Sequence, residues 1–409
     1  MLFRSGVGSG GGLKITGNES LVMDSSLLRL NSARESGGGM YLGSEVQVQT
    51  SDMLYSENVA YGSTGGGGAV YGEGSVIFSS EGDVFEGNRA KQGSGGGLYV
   101  AGVSQVTCSS CVLQNNTAYR HGGGMYTESW DVSLEEGSMV LNNVAETGDG
   151  GGLYSSSSTK LVLSAVSFEE NTAVDMEGSH VFGRGGAIAF SLPIEFRLEN
   201  VVIRKNKAVY GGGVYSPLDA VVTIGNSVLD SNIASMSGGG LYTNTSSSLK
   251  AYDSIVRNNS ALTEDGGGAY LMTWLDYSGN ASVTALFSNL SFVDNVAVNG
   301  VGGGLCRSGE VSMEVRNSSF WGNTGSEGGG LYLANGSSTF TNVSLVSNYG
   351  VGSGGGLKIT GNESLVMDSS LLRLNSAGES GGGMYLGSEV QVQTSDMLYS
   401  ENVAYGSTG

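Results

Sequence analysis

Gly95-Gly96-Gly97-Leu98-Tyr99, followed 21 positions after its first glycine by Asn116-Thr117-Ala118, is the stretch on which the fold turns. The first phrase recurs with its leading glycine at Gly10, Gly37, Gly67, Gly95, Gly122, Gly150, Gly185, Gly211, Gly238, Gly266, Gly302, Gly328, Gly354 and Gly381, mostly 26 to 28 residues apart. The second supplies Asn31, Asn58, Asn88, Asn116, Asn143, Asn171, Asn206, Asn232, Asn259, Asn295, Asn323, Asn348, Asn375 and Asn402, and keeps the 21-residue distance in twelve of the fourteen units. Length variation collects mainly between the Asn and the next glycines, as it does when glycine-to-Asn is structured and Asn-to-glycine is a surface turn.

Inside the units, Leu161 and Leu163, Phe196 and Leu198, and Val222 and Ile224 recur at two alternate positions, the period of a strand rather than of a helix. One unit, with Val132 and Leu134, is out of step by a residue. A unit of this size cannot bury its own apolar face, but stacked units can, each strand pairing in parallel with its equivalent one turn along. The expected fold is therefore all-β: a right-handed parallel β-helix of about fourteen coils with three short strands per coil. At a spacing of about 4.8 Å the stack is a rod on the order of 65 Å long. The recurrent Asn is expected to form an internal ladder, its amide donating to the next while its backbone tolerates the left-handed conformation. The glycines fill another corner, where positive φ or close approach excludes a Cβ.

Composition agrees. The 409 residues include 71 Gly but only 2 Pro, and the glycines are clustered, which excludes collagen. A hydrophobic fraction of 39% argues against disorder. The net charge of −19 makes nucleic acid a poor partner, and no apolar run is long enough to span a membrane.

Gly185-Gly186-Ala187-Ile188, together with Phe85 to Asn88, Phe168 to Asn171, Phe292 to Asn295 and Phe320 to Asn323, resembles the paired Gly-Gly-Ala-Ile and Phe-x-x-Asn repeats of the chlamydial polymorphic outer membrane proteins. The resemblance covers essentially the whole chain, although Gly-Gly-Gly-Leu-Tyr prevails here. It implies a surface-exposed, adhesin-like right-handed β-helix, and it implies fold more firmly than function.

Residues 7–65 recur as 351–409 with one difference in 59 positions, Arg34 against Gly378. Neither end shows a cap, so 1–409 is expected to be a single array cut from a longer one, with end-to-end association through open strand edges in view.

Tyr follows the inward apolar residue at Tyr41, Tyr71, Tyr99, Tyr126, Tyr154, Tyr215, Tyr242, Tyr270, Tyr332 and Tyr385, interrupted by Lys14, Ala189, Cys306 and Lys358. Alternation places these rings outward, as an external stripe that grips a polysaccharide or protein surface or that merely stacks on itself. The competing class is a pectate-lyase-like polysaccharide lyase or hydrolase. Its site would lie in the longest loop, where Asp175, Glu177, His180 and Arg184 converge. No cofactor is expected and no metal: Cys108 and Cys111 lack the second pair a zinc site needs, and read as a local disulfide or two inert thiols. Ten Asn-x-Ser/Thr sequons, at Asn18, Asn115, Asn244, Asn258, Asn280, Asn289, Asn317, Asn335, Asn342 and Asn362, exceed the chance number and point to a glycosylated, secreted protein. The expected function is that of an extracellular or cell-surface, non-catalytic adhesin or structural rod.

Overall fold

The structure is a computed structural model that describes residues 8–63, 65–102, 104–129, 131–156, 160–175, 183–191, 195–217, 220–244, 248–272 and 283–406. The described residues are strands, turns and bends without helix, and the strands pair in parallel as a β-solenoid. The chain divides into two compact units, Met1–Val209 and Tyr210–Gly409.

In the first unit a coil is built from four strands rather than three. Leu98–Val100, Gln105–Ser109, Val112–Gln114 and the two-residue Thr117–Ala118 make one turn. Each lies between its equivalents: Tyr99 between Tyr71 and Tyr126, Leu113 between Phe85 and Val140, Ala118 between Ala90 and Ala145. The fourth strand was not legible because two residues carry no alternation. Val132 and Leu134 are not out of register, since they pair with Val106 and Cys108 on one side and Leu161 and Leu163 on the other. The offset is absorbed in the corners: the connection before Asp131–Glu135 is one residue shorter than its neighbour's, and the connection after it one longer.

The core is a column of inward side chains. Leu98, Val106, Leu113, Phe85, Phe168 and Phe196 are all wholly buried, and full burial of such a side chain stabilises by about 1.5–3 kcal/mol. The asparagine row runs beside it. Asn143 donates from its backbone N–H and from Nδ2 to Asn171 Oδ1, both at 3.0 Å, and from Nδ2 to the Leu113 carbonyl at 2.8 Å. Its own Oδ1 accepts the same pair from Asn116. Asn58, Asn88, Asn116 and Asn171 repeat this pattern, so the buried amides satisfy one another.

The left-handed residue is not the ladder Asn, which was expected there for its tolerance of that conformation, but the one before it: Leu30, Glu57, Asn115, Asn142, Glu170 and Lys205, all at φ between 52° and 56°. The ladder Asn must keep its N–H aimed at the next carboxamide, and the turn is made one residue earlier. The three glycines have three separate reasons. Gly95 has φ +66°. A Cβ on Gly96 would meet the Gly123 carbonyl oxygen at 2.2 Å, and one on Gly97 the Gly124 oxygen at 2.8 Å. The third is the mildest, and there alone the sequence admits alanine, Ala69 and Ala187.

The second unit repeats the four-strand coil, for example Val214–Ser216, Val221–Gly225, Val228–Asp230 and Ile233–Ala234. Its ladder runs through Asn232, Asn259, Asn295, Asn323, Asn348, Asn375 and Asn402 with the same bonds. Three coils here fuse their strands into long ones, Leu305–Trp321, Leu331–Val346 and Leu357–Asp368. An arginine lies inside: Arg307 is fully buried, donates to the carbonyls of Gly309, Val311 and Asn335, and pairs with the equally buried Glu363 two coils on.

Candidate functional site

The tyrosine row forms stacks within each unit. Ring centroids of Tyr41, Tyr71, Tyr99, Tyr126 and Tyr154 follow one another at 5.6, 4.8, 4.6 and 5.5 Å. In the second unit Tyr215, Tyr242 and Tyr270 follow at 5.1 and 5.2 Å. The rings do not lie open as an external stripe. The five of the first unit, with Tyr215 and Tyr270, are each at most 9% exposed, while Tyr242, Tyr332 and Tyr385 are half-buried. Their faces cover one another, and residues leading into the glycines lie against them, as Gly65 does at Tyr71 and His121 at Tyr154. The hydroxyls reach carboxylates: Tyr71 donates to Glu73 and Tyr126 to Glu128, each two residues along, and Tyr41 donates to Glu73 of the next coil. Burial, and then the bond to Glu73, push the Tyr41 phenol up to about 12. Cys306 takes a tyrosine's place, in register with Tyr270 and Tyr332 and itself buried.

Beside the first stack the fold assembles a polar cluster from three residues that each immediately precede a glycine triplet: His121, Asp149 and Arg184. Asp149 is 1% exposed and accepts from Arg184 through its Nη2 at 2.6 Å, its Nε at 3.1 Å and its backbone N–H at 2.9 Å. His121 stacks on Tyr154 at 4.5 Å, and its Nδ1 accepts the Asp149 backbone N–H, which makes Nε2 the protonated nitrogen of the neutral ring. Burial holds its pKa below the usual histidine value, against the pull of Asp149. Arg184 is thus committed to Asp149. Of the other residues expected at an enzyme centre, Asp175 lies at the start of the loop, and Glu177 and His180 fall outside the described residues. The signal for the cluster was available: the same offset from the repeated phrase, in three consecutive coils.

A second cluster lies in the core. Asp83 accepts from Thr50, from Ser80 Oγ at 2.7 Å and from the Met53 N–H at 2.9 Å, and burial pushes its carboxyl up. Cys108 and Cys111 are free thiols, both buried, and Cys111 Sγ lies 3.2 Å from Ser80 Oγ. Among the described residues no group of three or more His, Cys, Asp or Glu is placed to hold a metal. On the outer face Lys160, Val162, Glu195, Arg197 and Glu199 line an open depression of about 310 Å³.

The sequons have a backbone origin. Asn115, Asn258, Asn289, Asn317, Asn335 and Asn342 are all exposed corner residues at φ between 49° and 57°, a conformation in which Asn is enriched. After Asn115, Asn258 and Asn289 the sequon's Ser or Thr is the first residue of the next strand. Asn280 lies outside the described residues.

No described helix is long and apolar enough to cross a membrane. No family model matches the chain, and no curated protein or solved structure gives a match either.

Proposed function

We propose that this chain is a non-catalytic, extracellular or cell-surface β-solenoid that acts as an adhesin or structural array. The observation that carries the reading is the register. Equivalent residues of successive coils pair directly, so any outward side chain that recurs is presented again about every 4.8 Å. Such a surface makes many weak contacts to an extended polymer or a repetitive surface, and their sum is strong. Two groups of reactive side chains have structural partners, which supports the reading: Arg184 clamps Asp149, and the phenols of Tyr41 and Tyr126 cap onto Glu73 and Glu128. In this reading the tyrosine row contributes its hydroxyl edges, and the wider contact surface is the set of outward rows.

A glycan-array screen of the full chain, with each polymer's length checked afterwards, tests it. Binding with polymer length unchanged is the expected result for the adhesin. Depolymerisation that follows the purified protein overturns the non-catalytic reading.

A further inference from the structure

The residue that follows the fourth strand's alanine, three positions after the ladder Asn, forms its own outward row. In the first unit this row reads Arg34, Tyr61, Lys91, Tyr119, Glu146, Val174, Val209, with its polar and aromatic members all in the first five coils. Its register is fixed by the backbone: the N–H groups of Tyr61, Lys91 and Tyr119 donate to the carbonyls of Ala33, Ala60 and Ala90 at 2.8–3.0 Å. Tyr61 is 50% and Tyr119 38% exposed, unlike every tyrosine of the first unit's stack. Arg34, Lys91 and Arg120 are exposed and have no ion pair among the described residues, while Arg89 points the same way and pairs with Glu146 at 2.8 Å. Glu35, at the edge, accepts from Ser9. Unpaired cations concentrated beside two open aromatic rings are out of keeping with a chain of net charge −19.

The geometry points to this row as a binding site for an acidic polysaccharide, one bearing carboxylate or sulfate groups, lying along the direction in which the coils stack. The inference rests on the adhesive reading and gives it a site and a ligand class. Tyr61 and Tyr119 are two coil steps apart, about 9.6 Å at the parallel-strand spacing, a length close to a disaccharide. Two phenol faces therefore meet alternate sugar rings of one chain. Lys91 stands between them, where the intervening sugar's acidic group falls; Arg34 extends the positive field one coil before Tyr61, Arg120 follows Tyr119 in its own coil, and Glu146 beyond it is paired with Arg89. An aromatic ring offers a sugar its apolar face and a desolvated surface that strengthens the neighbouring ion pairs. Nucleic acid would meet the same cations, but the surrounding negative charge opposes a polymer with a phosphate at every residue more than it does a glycan of lower charge density.

The repeat itself supplies a control. The copy at 351–409 keeps Tyr405 in place of Tyr61, but its one difference from the first copy, Gly378 for Arg34, removes a cation from this row.

Biolayer interferometry of the full chain against immobilised heparin, alginate, neutral dextran and double-stranded DNA tests the inference. The expected result is binding to heparin or alginate at least tenfold tighter than to dextran or DNA, weakened by added salt. Lys91→Glu and the pair Tyr61→Ala with Tyr119→Ala are each expected to weaken it about tenfold or more. Arg34→Gly is expected to weaken it severalfold. These side chains are exposed, and an unchanged thermal transition confirms the fold of each variant. Acidic-glycan binding that all the variants retain overturns the site while leaving the adhesive reading intact. DNA binding as tight as heparin overturns the ligand class. Failure to bind either acidic polymer overturns the inference, and the array of neutral glycans then judges the adhesive reading separately.

Discussion

Residues 7–65 and 351–409 are the same sequence but for one residue, yet they live in different surroundings. Leu21, Met23 and Glu19 are half-buried, half-buried and exposed, whereas their counterparts Leu365, Met367 and Glu363 are all 1% exposed or less. One coil later the contrast reverses: Tyr55 is fully buried and its counterpart Tyr399 is 50% exposed. The corners keep their conformation, although Leu13–Ile15 and Ser20–Asp24 are separate strands in the first copy and one strand, Leu357–Asp368, in the second. Leu30 and Leu374 both turn at φ 56°, and Glu57 and Glu401 at 54° and 56°. A coil's own sequence sets its path, and its neighbours set its burial, which is the division expected where stability is a sum of unit and interface terms. Identical substitutions made in the two copies therefore separate what a residue does within its coil from what it does between coils.

The largest separation is expected in the ladder. Asn375 donates to Asn402 twice and to the Leu345 carbonyl, and accepts twice from Asn348. Its counterpart Asn31 is half-buried, and among the described residues its N–H and side chain make only the two bonds to Asn58. Asn375→Ala leaves several buried partners unsatisfied and is expected to cost on the order of 5 kcal/mol, against about 1–2 kcal/mol for Asn31→Ala. Urea unfolding of both variants measures it. Equal costs would mean that the amide acts within its own corner and that stacking adds nothing.

Next comes the interior charge. Glu363→Ala strands Arg307 in the core, and breaking a buried pair in this way costs about 3–5 kcal/mol. Glu19→Ala, at an exposed site, is expected to stay within about 0.5 kcal/mol. Replacing Arg307 and Glu363 together by methionine should recover most of the loss, since an apolar pair of similar volume often matches a buried ion pair. Lack of recovery would show that Arg307's bonds to the Gly309, Val311 and Asn335 carbonyls carry the stability instead.

Tyr55 and Tyr399 sharpen the comparison in packing alone. The Tyr55 ring lies on Phe85 with centroids 4.6 Å apart, inside the core. Tyr55→Ala is expected to cost about 3 kcal/mol, and Tyr399→Ala less than about 1 kcal/mol. Thermal unfolding followed by circular dichroism distinguishes the two.

The sequence disclosed what recurs at fixed distance in every coil and hid what does not. The asparagine row and the glycine corner were legible because one residue type alone satisfies each. The left-handed position before the ladder was hidden because Leu30, Glu57, Asn115 and Lys205 all occupy it. Alternation rightly separated Tyr126 from Met125, but it cannot see that residues ahead of the glycines cover the rings. Arg307 and Glu363 lie 56 residues apart, and nothing in the repeat links them until the two-coil offset between them is known. His121, Asp149 and Arg184, and likewise Tyr61, Lys91 and Tyr119, could have been found by aligning each coil on its Asn or glycine and reading down the columns.

The smallest expected difference isolates a single ion pair. Lys14 and Lys358 both stand over the tyrosine of the next coil, Nζ lying 4.7 Å from the Tyr41 ring centroid in one copy and 4.7 Å from Tyr385 in the other. Among the described residues only Lys358 also reaches a carboxylate, Glu327 at 2.6 Å, with its side chain 10% exposed. Lys→Met in each copy removes the same cation–π contact and keeps a stem of similar length, so that contribution cancels between the variants. What remains is the bond to Glu327. Glu327 is itself 37% exposed, which holds the expected excess cost at Lys358 to about 1 kcal/mol. High salt should shrink the excess without touching the shared part, because screening acts on the partly exposed pair and not on the ring beneath it. Equal costs at low salt would place the whole effect in the tyrosine stack, and an excess that survives high salt would mean that Lys358 is held by packing.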